Sequence, residues 1–382
     1  MTDTHAPSGT ARRLLVWSVV VVVAAIMLGV LWSGSDYHTT SLRTAATDPG
    51  APADTEPADS VSVRWSEGSG PTAVDPVGDG SVIIGDRHGL RGLDPQTGDE
   101  RWHYLRSTAL LCDWTAQDAV VVAVFRTDDN CDEALALDAG TGERVWYRNV
   151  NLAAEMSLAS TNQLTVASTD TGVTTFGTTS NGLRWRYHPP SDCRIADSLP
   201  GDTGVAVTLD CAGVTSLVLL DGFTGKQRWS GVLPPGPARI LTADGVVAVL
   251  GLDSTGALSV FGRDGATLVT LTESALVAST DVEPAAQLYG DRLAVFTGST
   301  LVAVDTAGGG IAWVARAVTQ PTLLGSGALV HDGSEFVELD LATGQVLRQI
   351  GVTGPVPATG ARLDRVGSAI VVGTADTVAV YD

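Results

Sequence analysis

Short apolar runs with a period of two recur along most of this chain, and each ends in a carboxylate or a glycine. Eight of them line up: Gly89 to Asp94, Glu133 to Asp138, Gly172 to Gly177, Ser216 to Asp221, Ala257 to Gly262, Thr300 to Asp305, Glu335 to Asp340 and Thr377 to Asp382. Alternation as in Ala257-Leu-Ser-Val-Phe261 predicts β-strands, because successive side chains of a strand point to opposite faces. A second apolar run lies upstream of several copies, as in Ala119 to Phe125, Gly245 to Leu252 and Ala369 to Gly373. Clusters of Gly, Asp, Asn and Thr between the runs predict hairpin turns. Helical spacing is confined to the first fifty residues.

The copies recur about every 40 residues, a period that marks a propeller or solenoid, since one such unit cannot bury its own apolar face. Four strands in that length is the content of one propeller blade. The fold expected is all-β, an eight-bladed β-propeller behind an N-terminal transmembrane helix. Seven blades is the alternative, if the degenerate repeat around Gly344 is not a full blade.

The turn after each copy explains a second recurrence. In Leu93-Asp-Pro-Gln-Thr-Gly98-Asp-Glu-Arg-Trp102 the Asp can accept backbone N–H groups across the turn, and the Gly supplies a positive φ. The Trp then starts the next strand as a large wedge between twisted sheets, with the Arg before it on the opposite face. Close copies end at Trp146, Trp229 and Trp313, and a shorter one at Trp185. The turn glycines are Gly98, Gly142, Gly182, Gly225, Gly265, Gly309 and Gly344. In two degenerate copies Val269 and Leu347 stand at the Trp register. The last strand copy stops where a Trp strand should follow, and Val61-Ser-Val-Arg-Trp65 is an orphan Trp strand. Residues 61–65 are therefore expected to complete the last blade and remove the open sheet edge.

Repeated Asp-x-x-Thr-Gly-x-x-x-Trp over roughly residues 60–382 resembles the tryptophan-docking repeat of the quinoprotein-like (PQQ-like) β-propellers. That family includes quinone-dependent alcohol dehydrogenases and an outer-membrane assembly lipoprotein. The resemblance is specific for the fold and not for the quinone. It implies, for an enzyme of the family, an Asp base, a Ca²⁺ held by carboxylates and amides, and often a bridge between adjacent cysteines. This chain has no adjacent cysteines, and its repeats are close to the minimum blade length. No cofactor is expected. The alternative is a small dehydrogenase of alcohols or sugars using pyrroloquinoline quinone with Ca²⁺.

Leu14 to Trp32 is an uncharged apolar run long enough to cross a bilayer. Arg12 and Arg13 precede it, which places residues 1–13 in the cytoplasm and the propeller outside. A cleavable signal peptide is the competing reading, and no Cys follows the run to carry a lipid anchor. Residues 33–59, rich in Ala, Pro, Thr, Asp and Ser, are expected to be a disordered tether with a reach of roughly 30 Å. Four cysteines suit an oxidising compartment, with Cys112–Cys131 and Cys193–Cys211 each expected inside one blade, joining its outer part to a central strand.

A net charge of −20 disfavours nucleic acid as a partner. The acidic loop Thr127 to Glu133 lacks the spacing of a calcium loop and reads as solvated. His5, His38, His88, His103, His188 and His331 have no partner at ligand spacing, and surface or turn roles are expected for them. No catalytic residue and no metal site emerge. What the chain supports is a membrane-tethered, extracytoplasmic, monomeric ring that binds a protein or envelope component. The loops at Arg87-His88, Asp128 to Asp132, His188 to Asp192 and Pro234 to Pro237 are the candidate contact points.

Overall fold

The computed structural model describes residues 16–27, 36–50, 53, 55–70, 77–78, 80–117 and 119–382. Eight four-stranded units follow one another: residues 77–106, 110–152, 157–187, 193–232, 238–272, 285–316, 322–353, and 362–381 completed by Ser60–Gly68. They are called units one to eight. Within each the strands form an antiparallel meander, joined by short turns in units one to seven. Units seven and eight are linked into one eight-stranded sheet, because residues 60–62 pair in parallel with 351–353.

The N-terminal strand completes unit eight as the repeat predicts. Val63 lies opposite Tyr381, Trp65 opposite Val380 and Gly68 opposite Thr377, in an antiparallel pairing. Its third and fourth strands thus come from distant parts of the chain.

Strands whose both faces are buried explain the nearly continuous apolar runs. In Val120–Arg126, Val121, Ala123 and Phe125 face unit one, where they pack with Ile83, Leu90 and Trp102. Val122 and Val124 face unit three, with Leu158, Ala167 and Phe176. Among the described residues eight such clusters occur, each shared by two consecutive units. The series ends with Trp65, Val366, Val371 and Val380 of unit eight against Val82, Ile84 and Leu93 of unit one. That last cluster closes the ring. At about 1.5–3 kcal/mol for each fully buried Val, Leu or Phe, these seams are the main source of stability.

First strands line the axis. Ser157–Ser160 touches Leu110–Gln117 and Cys193–Gly201, which touches Ala238–Thr242 in turn, and Val77–Gly78 touches both Leu110–Gln117 and Arg362–Val366. Fourth strands form the rim.

Two expectations are corrected. Residues 40–43, placed in a disordered tether, form a strand that adds antiparallel to the rim strand Glu100–Arg106, with Leu42 opposite Tyr104. Further along, Arg348 binds Asp59 and the carbonyl of Pro57. Residue 347 is not at the Trp register: Arg348 lies opposite Glu338, and Leu347 is the extra residue of a bulge. As for the span at 14–32, residues 16–27 are helical and exposed, while 14, 15 and 28–32 lie outside the described residues. No helix among the described residues is long and apolar enough to cross a membrane.

Candidate functional site

The turns after the third strands hold the recurring framework. Asp94, Asp138, Asp221 and Asp340 each accept, through Oδ1, the backbone N–H of the residue three positions on, at 2.8–3.0 Å. Where a unit carries a Trp at this register, the indole reaches the turn of the next unit. Trp102 Nε1 donates to the Ala139 carbonyl at 2.9 Å, Trp185 to that of Gly222 at 3.0 Å and Trp313 to that of Leu341 at 3.0 Å. Trp65 reaches Pro95 and Trp229 reaches Arg263 in the same way. Gly98, Gly142, Gly225, Gly265 and Gly344 lie under these indoles at positive φ, so that a Cβ would meet the ring at 2.6–3.0 Å.

Two turn glycines are not so covered. Gly182 has no positive φ, and Trp146 donates instead to the Thr178 carbonyl at 2.8 Å. Gly309 faces open space, and the preceding unit has Val269 in place of Trp. Unit seven also lacks the Trp. Its neighbour, unit eight, has no turn between third and fourth strands for an indole to cover, and Arg348 at that register holds residues 56–59 instead.

The Arg before the Trp does not simply point away. Arg101 pairs with Asp94 at 2.6 Å and donates to the Gly80 carbonyl at 2.7 Å. Arg228 pairs with Asp221 at 2.6 Å and donates to the Thr203 carbonyl at 2.9 Å. One guanidinium thus ties two turns of the same unit. Hydrogen bonds from Arg228, then from Thr224, hold the Asp221 carboxyl down to about 2.

The antiparallel meander sorts all loops onto two ends of the ring. Turns joining first to second and third to fourth strands share one end, the remaining loops the other. Arg87-His88, Asp128 to Asp132, His188 to Asp192 and Pro234 to Pro237 all fall on the second end. The cavity beside Pro234 there has a volume of about 20 Å³, room for little more than a water.

A much larger cavity, about 610 Å³, opens on the first end across units two to five. Gly201, Gly204 and Gly222 floor it with bare backbone, and Arg184, Asp202, Asp221 and Phe223 stand around it. Phe223 is 74 % exposed. The Arg184 guanidinium sits 5.1 Å from its ring centroid, a cation–π contact, and also donates to the Gln163 carbonyl at 3.2 Å. Asp202 is fixed by Arg263 and by the Gly245 N–H at 2.6 Å. This surface was not singled out by sequence. Its one available signal was Phe223, at a turn position where other copies have Gln96, Gly140, Ala307 and Ala342.

Near the axis, Asp113 accepts the Leu158 N–H at 2.8 Å, and Asp197 accepts that of Ile240 at 2.8 Å. Each thus joins its own first strand to that of the next unit. Burial raises the Asp197 carboxyl above its ordinary value, against the pull of Arg239 and of backbone N–H groups. Glu283 is paired with both Arg239 and Arg362, which come from units five and eight.

The cysteines pair as expected, within units two and four. Both bridges hold the axial first strand rather than an outer part. Cys193 faces Cys211 on the adjacent second strand, and Cys112 reaches Cys131 on the third. Asp132 caps its own loop by accepting from the Thr127 N–H and hydroxyl at 3.0 and 2.6 Å. Among the described residues, no group of three or more His, Cys, Asp or Glu is placed to hold a metal.

His88 Nδ1 lies 2.9 Å from the Ala109 carbonyl, and His103 bonds Glu100 and Ser41. His331 corrects the expectation of a surface or turn role. It ends a strand, fully buried, with Nδ1 accepting the Gly333 N–H at 3.1 Å, its ring edge-on to Phe336, and Nε2 without a partner.

The charged lining of the large cavity is of mixed sign, with Asp202, Asp221 and Asp244 standing beside Arg184 and Arg228.

Comparison with known proteins agrees with this architecture. No curated protein matches the chain. The computationally designed Ika8 protein is 15% identical, over 87% of this chain and 99% of that one, with a TM-score of 0.56. A quinohemoprotein alcohol dehydrogenase, ADHIIG from Pseudomonas putida HK5, is 11% identical over 88% and 78%, with a TM-score of 0.52. Sqt1 from Saccharomyces cerevisiae is 12% identical over 87% and 99%, also at 0.52. At such identities the likeness is one of fold alone. The family model described as "Outer membrane protein assembly factor BamB" matches residues 54–198 and 172–323, so the chain belongs to that family of PQQ-like repeat propellers.

Proposed function

We propose that this chain is an eight-bladed propeller, tethered to the cytoplasmic membrane through residues 14–32 with its ring outside. In this reading it is a non-catalytic, cofactor-free binding module for a protein or another envelope component. Eight shared seams support the blade count, and two disulfides support an oxidising compartment. The family's assembly factor suggests the kind of role.

One observation carries the binding reading. Phe223 stands in water on a turn whose fold requires nothing apolar there, over a cavity of about 610 Å³ with exposed backbone. An aromatic plate backed by a guanidinium, over a cavity of that size, suits a peptide segment of a partner. The opposite end, with the four loops named from sequence, is the competing face.

The test is a photo-crosslinking residue placed at Phe223 or at His188 in the membrane-bound chain. A discrete adduct from position 223 that Arg184→Glu abolishes is expected. Adducts from position 188 alone would move the site to the other end. Saturable binding of pyrroloquinoline quinone with Ca²⁺, accompanied by dye reduction, would overturn the non-catalytic reading.

A further inference from the structure

We propose that the rim of units one and two, built by strand 40–43 and the outer strand Arg144–Leu152, is the surface the ring lays against the phospholipid of the membrane that anchors it. The inference rests on the tethered reading above and adds an orientation to it.

Strand 40–43 is fixed to unit one by four paired positions. The Ser107 N–H donates to the Thr39 carbonyl at 2.8 Å, the Ala45 N–H to that of Thr141 at 2.9 Å, and Arg43 lies 3.6 Å from Glu100. The effective tether therefore ends at Thr39 and not at Asp59. Seven residues separate Trp32 from Thr40, and the last four form a helical turn. Their combined reach is at most roughly 20 Å. A ring attached at its rim by so short a connection cannot turn its far side to the bilayer.

The rim beside that attachment has the composition of an interfacial surface. Leu42, Val145 and Tyr147 are 49 %, 47 % and 38 % exposed, and the exposed Arg43 and Arg144 flank them. A groove of about 630 Å³ runs between the two strands, walled by Leu42, Tyr104 and Tyr147 together with Arg144 and the Arg106–Glu133 ion pair. Apolar and aromatic side chains at the depth of the headgroups, with guanidinium groups for phosphate, match the membrane–water boundary.

The experiment uses the full chain in vesicles of phosphatidylethanolamine and phosphatidylglycerol carrying a labelled phospholipid. A photo-crosslinking residue is placed at Leu42, at Tyr147, or at Val232 or Leu268 on the rims of units four and five. Positions 42 and 147 should capture at least about fivefold more lipid than 232 and 268, through tethered effective concentration. The controls are themselves exposed and apolar, at 76 % and 43 %. Equal capture at all four sites, or greater capture at 232 or 268, would overturn the orientation while leaving the tether intact. Release of the chain from the vesicles by alkaline carbonate would instead overturn the tether, and the orientation with it. Leu42→Pro, which breaks the strand without touching any seam, should erase the preference of position 147. A preference that survives Leu42→Pro would show that this strand does not set the orientation.

Discussion

The Trp102 indole occupies the space above Gly142 where a side chain would begin, so that a Cβ there would lie 2.7 Å from the ring. Ring and glycine belong to consecutive units, and the contact is repeated at four other seams. Trp102 is fully buried, and Trp102→Ala is expected to cost about 3–5 kcal/mol as a cavity substitution. Gly142→Ala should cost at least about 1 kcal/mol, from its φ of +73° as well as the clash. In denaturant titrations the double variant should lose less than the sum of the two, since both disrupt one contact.

Replacing both Cys193 and Cys211 by Ser should lower stability by about 3 kcal/mol, the loop-entropy contribution of a bridge closing 18 residues. Matched melts of the oxidised protein and the variant check this. A loss below about 1 kcal/mol would mean that strand pairing alone orders that loop in the unfolded ensemble.

His331 sets a dependence on pH. Burial lowers its pKa below the ordinary 6.5, with Asp332 opposing, so the folded chain keeps the ring neutral where the unfolded chain takes a proton. Its contribution is therefore complete above about pH 6.5 and declines as the pH falls from there toward the depressed folded value. Protonation would also forfeit the bond that Nδ1 accepts from Gly333. The slope of stability between pH 7 and 5 should be shallower in His331→Gln than in the parent, measured by urea midpoints.

Asp221 should titrate near 2 in a carboxyl-resolved NMR experiment, and its midpoint should rise in Arg228→Gln. Phe223→Ala, by contrast, should leave stability within about 0.5 kcal/mol, as expected for an exposed position outside the seams. A large loss there would make Phe223 a folding residue and remove the main support for the binding face.

Much of this architecture could be read from the chain because the repeat writes each seam several times. The strand ends, the Asp and Gly of the turns, closure by residues 61–65 and both cysteine pairings followed from spacing. What escaped detection was non-repetitive. Strand 40–43 reads Thr-Ser-Leu-Arg, too short for an alternating signal, and its pairing partner lies 60 residues away. His331 is followed by Asp-Gly, a turn signature that says nothing about the burial of the residue before it. Leu347 looked like the Trp equivalent because a bulge adds one residue that spacing alone does not reveal. The cavity beneath Phe223 is assembled from four units, so no single stretch of sequence describes it.

Unit eight draws its third strand from residues 377–381 and its fourth from residues 63–68, and this imposes an order on biosynthesis. The earliest strand of the ring emerges with its hydrogen-bonding edge vacant and waits until some three hundred further residues have been translated. During that interval the apolar sides of unit one and of the most recently made unit lack a neighbour. Any product truncated before Thr377 remains an open arc, marked for proteolysis by the same surfaces that a finished chain conceals.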